Sequence, residues 1–207
     1  MRLHSCTAAL LLTVGFIGAA PLSATPIKIP WIKQQQATDC GPTLLASLAA
    51  RNGGDVKARY SEIVAQDTKE KHVGAYSLGH LEKRAGLLEI NLAQVPLNGA
   101  VSAANCGPAA DNNAGLKRIL DAHYAKLRSI IASGRPVIVP IKNENTNGHY
   151  LLLVDAGKDN FTIHDPAEEG LRTVTKDELA RGMCGFLYLA YEVSGKRNHK
   201  HSRRGRR

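Results

Sequence analysis

The sequence predicts an α+β fold, with N-terminal helices packed on a C-terminal antiparallel sheet. Three observations carry this reading. Apolar residues recur at helical spacing from Cys40 to Ser133. The segment from Pro136 to Val193 holds β-type runs separated by turn signals. Strands do not alternate with helices along the chain, as a parallel βαβ sheet would require. The chain has 207 residues, 43% hydrophobic and 22% charged, which is enough for one domain with its own core and too apolar for disorder throughout.

The elements follow in order. Pro26–Ile32 alternates loosely and reads as a strand leading into polar Lys33–Gln36. Thr38-Asp39 offers an N-cap to a first helix, Cys40–Arg51, with Leu44, Leu45 and Leu48 on one face and Asn52-Gly53-Gly54 as its stop. Tyr60–Gln66 reads as a short second helix with Ile63 and Val64 inward. Ser77 caps a third, which carries Leu78, Leu81 and Ala85 and stops at Gly86, and Leu88, Ile90 and Leu92 then take strand period. Leu97–Asn113, rich in Gly, Asn, Ala and Ser, is a loop. Ala114–Ser133 has Leu116, Ile119, Leu120, Leu127, Ile130 and Ile131 at helical spacing, as one helix or two, ended by Gly134. Strands are predicted at Pro136–Ile141, His149–Val154, Asn160–His164, Leu171–Val174 and Phe186–Val193. Thr175 and Glu178 form a capping box that opens a short helix.

Both ends carry appendages. Met1–Ala24 has a basic start at Arg2, an apolar run from Ala8 to Ala20 and a small-residue site at Leu22-Ser23-Ala24, the architecture of a cleavable signal peptide. The apolar run is shorter than the roughly 20 residues of a membrane span, so the mature chain is expected to hold no transmembrane segment and to be periplasmic or secreted. Domain boundaries are therefore expected at 1–24 (leader), 25–195 (folded domain) and 196–207 (basic disordered tail). Of 27 lysines and arginines, seven lie in the tail and one in the leader, which leaves 19 against 18 acidic residues. The net charge of +9 thus describes a tail rather than a nucleic-acid-binding domain. Such a tail is compatible with a solvated end or with an anionic envelope surface or acidic partner. His199 and His201 alone are too few for a metal site, and no metal or organic cofactor is expected.

Removing the leader takes Cys6 and leaves Cys40, Cys106 and Cys184. An odd count in an oxidising compartment fits one bridge with one free thiol, or no bridge at all. A Cys106–Cys184 bridge would leave Cys40 as the reactive thiol. Cys40 opens an amphipathic helix, where unpaired backbone N–H groups and the helix dipole favour a thiolate nucleophile. Neither Cys106 nor Cys184 has that context. A thiol nucleophile needs a base, and eight histidines are available. His4 leaves with the leader, and His199 and His201 lie in the tail. His72 and His80 fall on or beside polar helical surfaces, and His123 inside a helix reads as half-buried packing. His149 and His164 remain. His149 follows Gly148 at a strand start. Asp165, held extended by Pro166, ends the next strand and could orient the imidazole. A hairpin of Tyr150–Val154 with Asn160–His164, turned at Asp155–Asp159, would bring His149 and Asp165 together. His164 competes as base, but its neighbour Asp165 should point to the opposite face.

These residues resemble a known family. Gln34 with Asp39-Cys40-Gly41, Ser77-Leu78-x-x-Leu81, Arg84-Ala85-Gly86-Leu87, Ile131-x-x-Gly134-Arg135-Pro136-Val137-Ile138-Val139, Gly148-His149-Tyr150 and Asp165-Pro166 are similar, in order, to the bacteriocin-processing cysteine peptidases. Those are the papain-like peptidase domains of bacteriocin exporters, which cleave after double-glycine leaders. The resemblance covers most of residues 30–190. It implies a papain-like fold, Cys40 as nucleophile, His149 as general base, Asp165 as its orienting group, and an oxyanion hole from Gln34 and the Cys40 backbone N–H. Gln35 is the competitor of Gln34 if the register slips by one. The chain departs from the exporters in its leader, its tail, the extra loop Asn98–Asn113, and the lack of a transmembrane bundle or nucleotide-binding cassette. The implied activity is that of an exported cysteine endopeptidase acting on a peptide or protein. A catalytically silent binding or assembly module is the alternative from another class, and an acyl transferase or amidase would use the same thioester chemistry.

Overall fold

The computed structural model describes residues 26–51, 53–95, 97, 114–143, 146–184 and 190–194. The expected leader and tail, and Cys106 with its loop, lie outside the described residues. The elements are α1 (Cys40–Ala50), α2 (Val56–Lys69), α3 (Leu78–Leu87), β1 (Asn91–Gln94), α4 (Ala114–Ala132), β2 (Val137–Asn143), β3 (Thr146–Ala156), β4 (Asn160–His164), β5 (Leu171–Thr175), α5 (Lys176–Cys184) and β6 (Tyr191–Ser194). The strands form one antiparallel sheet in the order β1-β6-β2-β3-β4-β5. The α+β class and the antiparallel sheet are those the sequence predicts.

Helices cover both faces of this sheet. Ile138, Leu152 and Val154 turn to one side and pack with Leu44, Leu45 and Leu81 of α1 and α3. Their strand neighbours Val137, Val139, Leu151 and Leu153 turn to the other and pack with Leu127 and Ile131 of α4 and Leu179 and Met183 of α5. Strand alternation therefore feeds two cores, which is why β2 and β3 read as continuous apolar runs rather than as apolar-polar alternation. Nearly all of α1, which carries no charged residue, is buried among α2, α3 and the sheet.

Local chemistry sets the helix ends. The α2 helix starts earlier than the apolar pattern predicts, because Asp55 caps it and accepts from the Lys57 N–H at 3.0 Å. Ser77 caps α3 by accepting from the His80 N–H at 3.2 Å. The Thr175–Glu178 capping box is complete, with the Glu178 N–H donating to Thr175 Oγ1 at 3.2 Å and Glu178 Oε2 accepting the Thr175 N–H at 2.7 Å. A single helix, α4, spans the long periodic segment, and Gly134 at φ 81° turns the chain after it.

Several predicted details differ. Val64 of α2 is exposed rather than inward, and β3 begins at Thr146 rather than His149. Pro26–Ile32 is irregular rather than a strand: Pro26 and Pro30 have no N–H to give a ladder, and the segment is tied to β3 by the Ile27 N–H to the Val154 carbonyl at 2.9 Å. Leu88–Leu92 is not one strand, because Glu89 takes φ 58° and β1 begins only at Asn91. His72 and His80 are not surface residues. Their rings stack at 3.7 Å, half-buried beside a carboxylate.

That carboxylate is Asp67. Arg84, 1% exposed, donates from Nε to Asp67 at 2.6 Å and makes two 3.0 Å bonds to Glu70, pinning α3 to α2. Removing one partner of such a buried pair strands the other charge. Arg84→Ala is expected to destabilise the fold by about 3 kcal/mol, read as a lower urea midpoint at unchanged slope. An unchanged midpoint would show that the pair contributes nothing.

Candidate active site

The nucleophile candidate sits where a turn becomes a helix. The Asp39 N–H donates to the Gln36 carbonyl at 3.1 Å, and the Asp39 carbonyl accepts from the Thr43 N–H at 3.0 Å, which starts α1. Asp39 holds the N-cap position, yet its carboxylate makes no cap. It accepts instead from the Gln36 N–H at 3.1 Å and from the Tyr60 hydroxyl, which stiffens the approach to Cys40. Cys40, the first helical residue, is 2% exposed and is a free thiol. It borders a cavity of about 510 Å³ shared with Thr38, Tyr76, Gly148 and His149. Cys184, by contrast, is disulfide-bonded.

The sheet supplies the partners. His149 on β3 is buried, and its Nε2 donates to Asp165 Oδ1 at 2.7 Å. That leaves Nδ1 free to serve the Cys40 thiol, with which the ring shares the cavity. Burial pulls the imidazole pKa down, but the bonds to Asp165 and Cys40 and their charges outweigh it, and the value rises from 6.5 to about 9. Asp165 follows β4. Burial pushes its carboxyl up, but bonds from His149, from Arg172 at 3.0 Å and from the Ala167 N–H at 3.0 Å bring it from 3.8 down to about 2. The expected trio of Cys40, His149 and Asp165 is therefore in contact.

His164 goes elsewhere. It pairs across from Leu152, 1% exposed, with its ring 5.9 Å from that of Trp31. Burial depresses its pKa to about 4, the Asp165 charge opposing only partly, so the ring stays neutral away from Cys40. Strand alternation separates it from Asp165, as the sequence implies.

Gln34 is held close by. Its backbone N–H donates to the Pro166 carbonyl at 2.8 Å, which draws the segment before Cys40 onto the Asp165 turn. Its side-chain Nε2 donates to the Gln36 carbonyl at 3.0 Å, which commits one of the two amide N–H groups. Gln35 is exposed.

Sequence reasoning missed two residues. Arg172 stands on β5, beside Ile163 of β4, and only that strand register brings it to Asp165. Tyr76 precedes the Ser77 cap, and its role depends on Gly41. A Cβ at Gly41 would lie 2.7 Å from the Tyr76 ring, so only glycine admits the ring there.

The model of the Peptidase_C39 like family matches residues 26–197. The chain belongs to the Peptidase_C39 like family. No curated protein matches it. Among solved structures, this C39-like chain is similar to the peptidase domain of Streptococcus ComA, a bi-functional ABC transporter involved in a quorum-sensing pathway. The TM-score is 0.51 at 15% identity, over 82% of this chain and 99% of that domain. It is also similar to a C39-like peptidase from Bacillus anthracis, with a TM-score of 0.50 at 13% identity over 81% of this chain and 94% of that one. At such identities the likeness shows the fold, which is the papain-like one that the resemblance implies.

The site has a pH signature. The pairing that raises His149 stabilises the fold fully below pH 6.5, and this contribution is lost as pH rises through about 9. The pairing that lowers Asp165 contributes above pH 3.8 and is lost as pH falls through about 2. Histidine ring NMR is expected to show a His149 midpoint near 9 in the wild type. Asp165→Asn should lower that midpoint by about one unit or more. A midpoint untouched by Asp165→Asn would remove the carboxylate from the account.

Proposed function

We propose that this C39-like domain is an exported cysteine endopeptidase, with Cys40 as nucleophile, His149 as general acid and base, and Asp165 as its orienting group. The observation that supports the reading is a free thiol at a helix start, sharing a cavity with an imidazole that a buried carboxylate holds. A protonated ring beside a sulfur favours the ionised sulfur by direct charge attraction. The thiolate attacks the scissile carbonyl. His149 then passes its proton to the leaving amine, and the resulting thioester is hydrolysed by a water that the neutral ring deprotonates. Asp165 fixes the tautomer throughout.

The Cys40 backbone N–H and the second N–H of Gln34 are the proposed oxyanion donors. One such donor is worth about 3 kcal/mol of transition-state stabilisation. The substrate is a peptide or protein met outside the cytoplasm. Export is read from the leader, and the disulfide at Cys184 is in keeping with an oxidising compartment. The proposed partner of Cys184 is Cys106, and the basic tail is proposed to meet anionic envelope surface.

A thiol-directed peptidase inhibitor tests the chemistry. It is expected to label Cys40 of the wild type near neutral pH, to label nothing in Cys40→Ala, and to react about 100-fold more slowly in His149→Ala. Labelling of Cys40 at the rate of an ordinary thiol would favour the catalytically silent binding module.

Mass spectrometry tests the processing. The exported chain should begin at Thr25, and a non-reducing digest should contain Cys106 linked to Cys184. An intact leader on exported protein would count against cleavage, and a Cys106 that alkylates freely would count against the pairing.

A further inference from the structure

We propose that Tyr76 is a positioning residue for the Cys40–His149 pair, held in place by the buried Asp67–Arg84 ion pair. The inference rests on the cysteine peptidase reading and adds a residue to it. Cys40 and His149 come from different elements, a helix start and a strand. Their separation is set by whatever fixes α1 against β3.

Tyr76 touches both. Toward α1, its ring lies against the backbone of the residue that follows the nucleophile. A Cβ built on Gly41 would stand 2.7, 2.9 and 3.0 Å from Tyr76 Cδ2, Cγ and Cβ, closer than packed carbons approach. Toward β3, the Tyr76 carbonyl accepts from the Tyr150 hydroxyl at 3.0 Å, and Tyr150 is the residue after His149. Tyr76 also borders the cavity that Cys40 and His149 share.

Away from the cavity the same residue is anchored. Its hydroxyl donates to Asp67 Oδ2 at 2.5 Å. Asp67 Oδ1 accepts from Arg84 Nε at 2.6 Å and lies 3.2 Å from His80 Nε2. Arg84 is fixed in turn by Glu70, which also takes Lys83 at 2.7 Å. Burial opposes charge on Asp67, but the bonds from Tyr76, His80 and Arg84 hold its pKa below the ordinary value. Burial, with Asp67 beside it, keeps the Tyr76 phenol protonated. The phenol thus donates to a carboxylate whose partners favour its ionised form, and the ring cannot swing without breaking that bond. The α2–α3 ion pair is in this way coupled to the distance between sulfur and imidazole.

The test uses the purified chain, with the His149 midpoint by NMR and the rate of Cys40 alkylation by iodoacetamide at neutral pH. Tyr76→Leu is expected to lower the midpoint from about 9 by about one unit and to slow alkylation about tenfold. Tyr76→Phe keeps the ring against Gly41 but loses its anchor, so it should fall between, about threefold slower than wild type, with Asp67→Asn matching it; wild-type rates in both would remove the ion pair from the proposal. Gly41→Ala expels the ring and should behave like Tyr76→Leu, which keeps the test decisive if Tyr76→Leu does not fold. Wild-type midpoints and rates in folded Tyr76→Leu, or in Gly41→Ala, would overturn the proposal. Should the wild type fail to be labelled by a peptidase inhibitor, the cysteine peptidase reading falls instead. The His149 midpoints of the variants still report on positioning in that case.

Discussion

The hydrogen bond between His149 and Asp165 is the constraint on which the site depends. It joins a residue within β3 to the residue that follows β4, in a place too buried for either charge to be stabilised by water. Removing ions from water costs several kcal/mol each, on the order of what one good pairing returns. Asp165 meets that cost with donors on every side: an imidazole, a backbone N–H and a guanidinium. His149 meets it with a carboxylate and a sulfur. Arg172, 38% exposed on its side chain, carries the network to the surface. The Cys40 thiol thus shares its cavity with an imidazole that Asp165 orients and whose charged form Asp165 favours.

The architecture explains how such a cluster is built from distant residues. The buried α1 helix carries its first residue to the end of a sheet whose strands are fixed from both faces. Close packing of two cores against one sheet leaves little freedom in the relative placement of α1 and β3. The N-terminal segment adds a strap, with Ile27 bonded to Val154 and Gln34 to Pro166, so the residues before Cys40 lie along the strands that carry His149 and Asp165. Gln34 is by this route tied to the turn that follows Asp165.

Polar groups below the cavity wall follow the same logic on a second scale. Asp67, Glu70, His80 and Arg84 satisfy one another between α2 and α3, and Tyr76 hands that rigidity to the cavity. Buried polar networks of this kind are costly when incomplete and specific when complete.

The sequence by itself determined the candidate site residues and most of the element types. A cysteine at a helix start, a histidine in a strand and an aspartate before proline each carry a local signal, because capping, strand period and proline geometry act within a few residues. The Ser77 cap, the Thr175–Glu178 capping box and the glycine after α4 were legible for the same reason. Only the tertiary structure decided what lies against what. Arg172 reaches Asp165 through strand register, Tyr76 meets Gly41 through packing, and His72 with His80 turns inward to a carboxylate thirteen residues from His80. The same holds for the two-sided covering of the sheet, since an apolar run reads alike whether one face is buried or both. These are long-range pairings, set by the shape of a packed core, and no local stretch of residues encodes them.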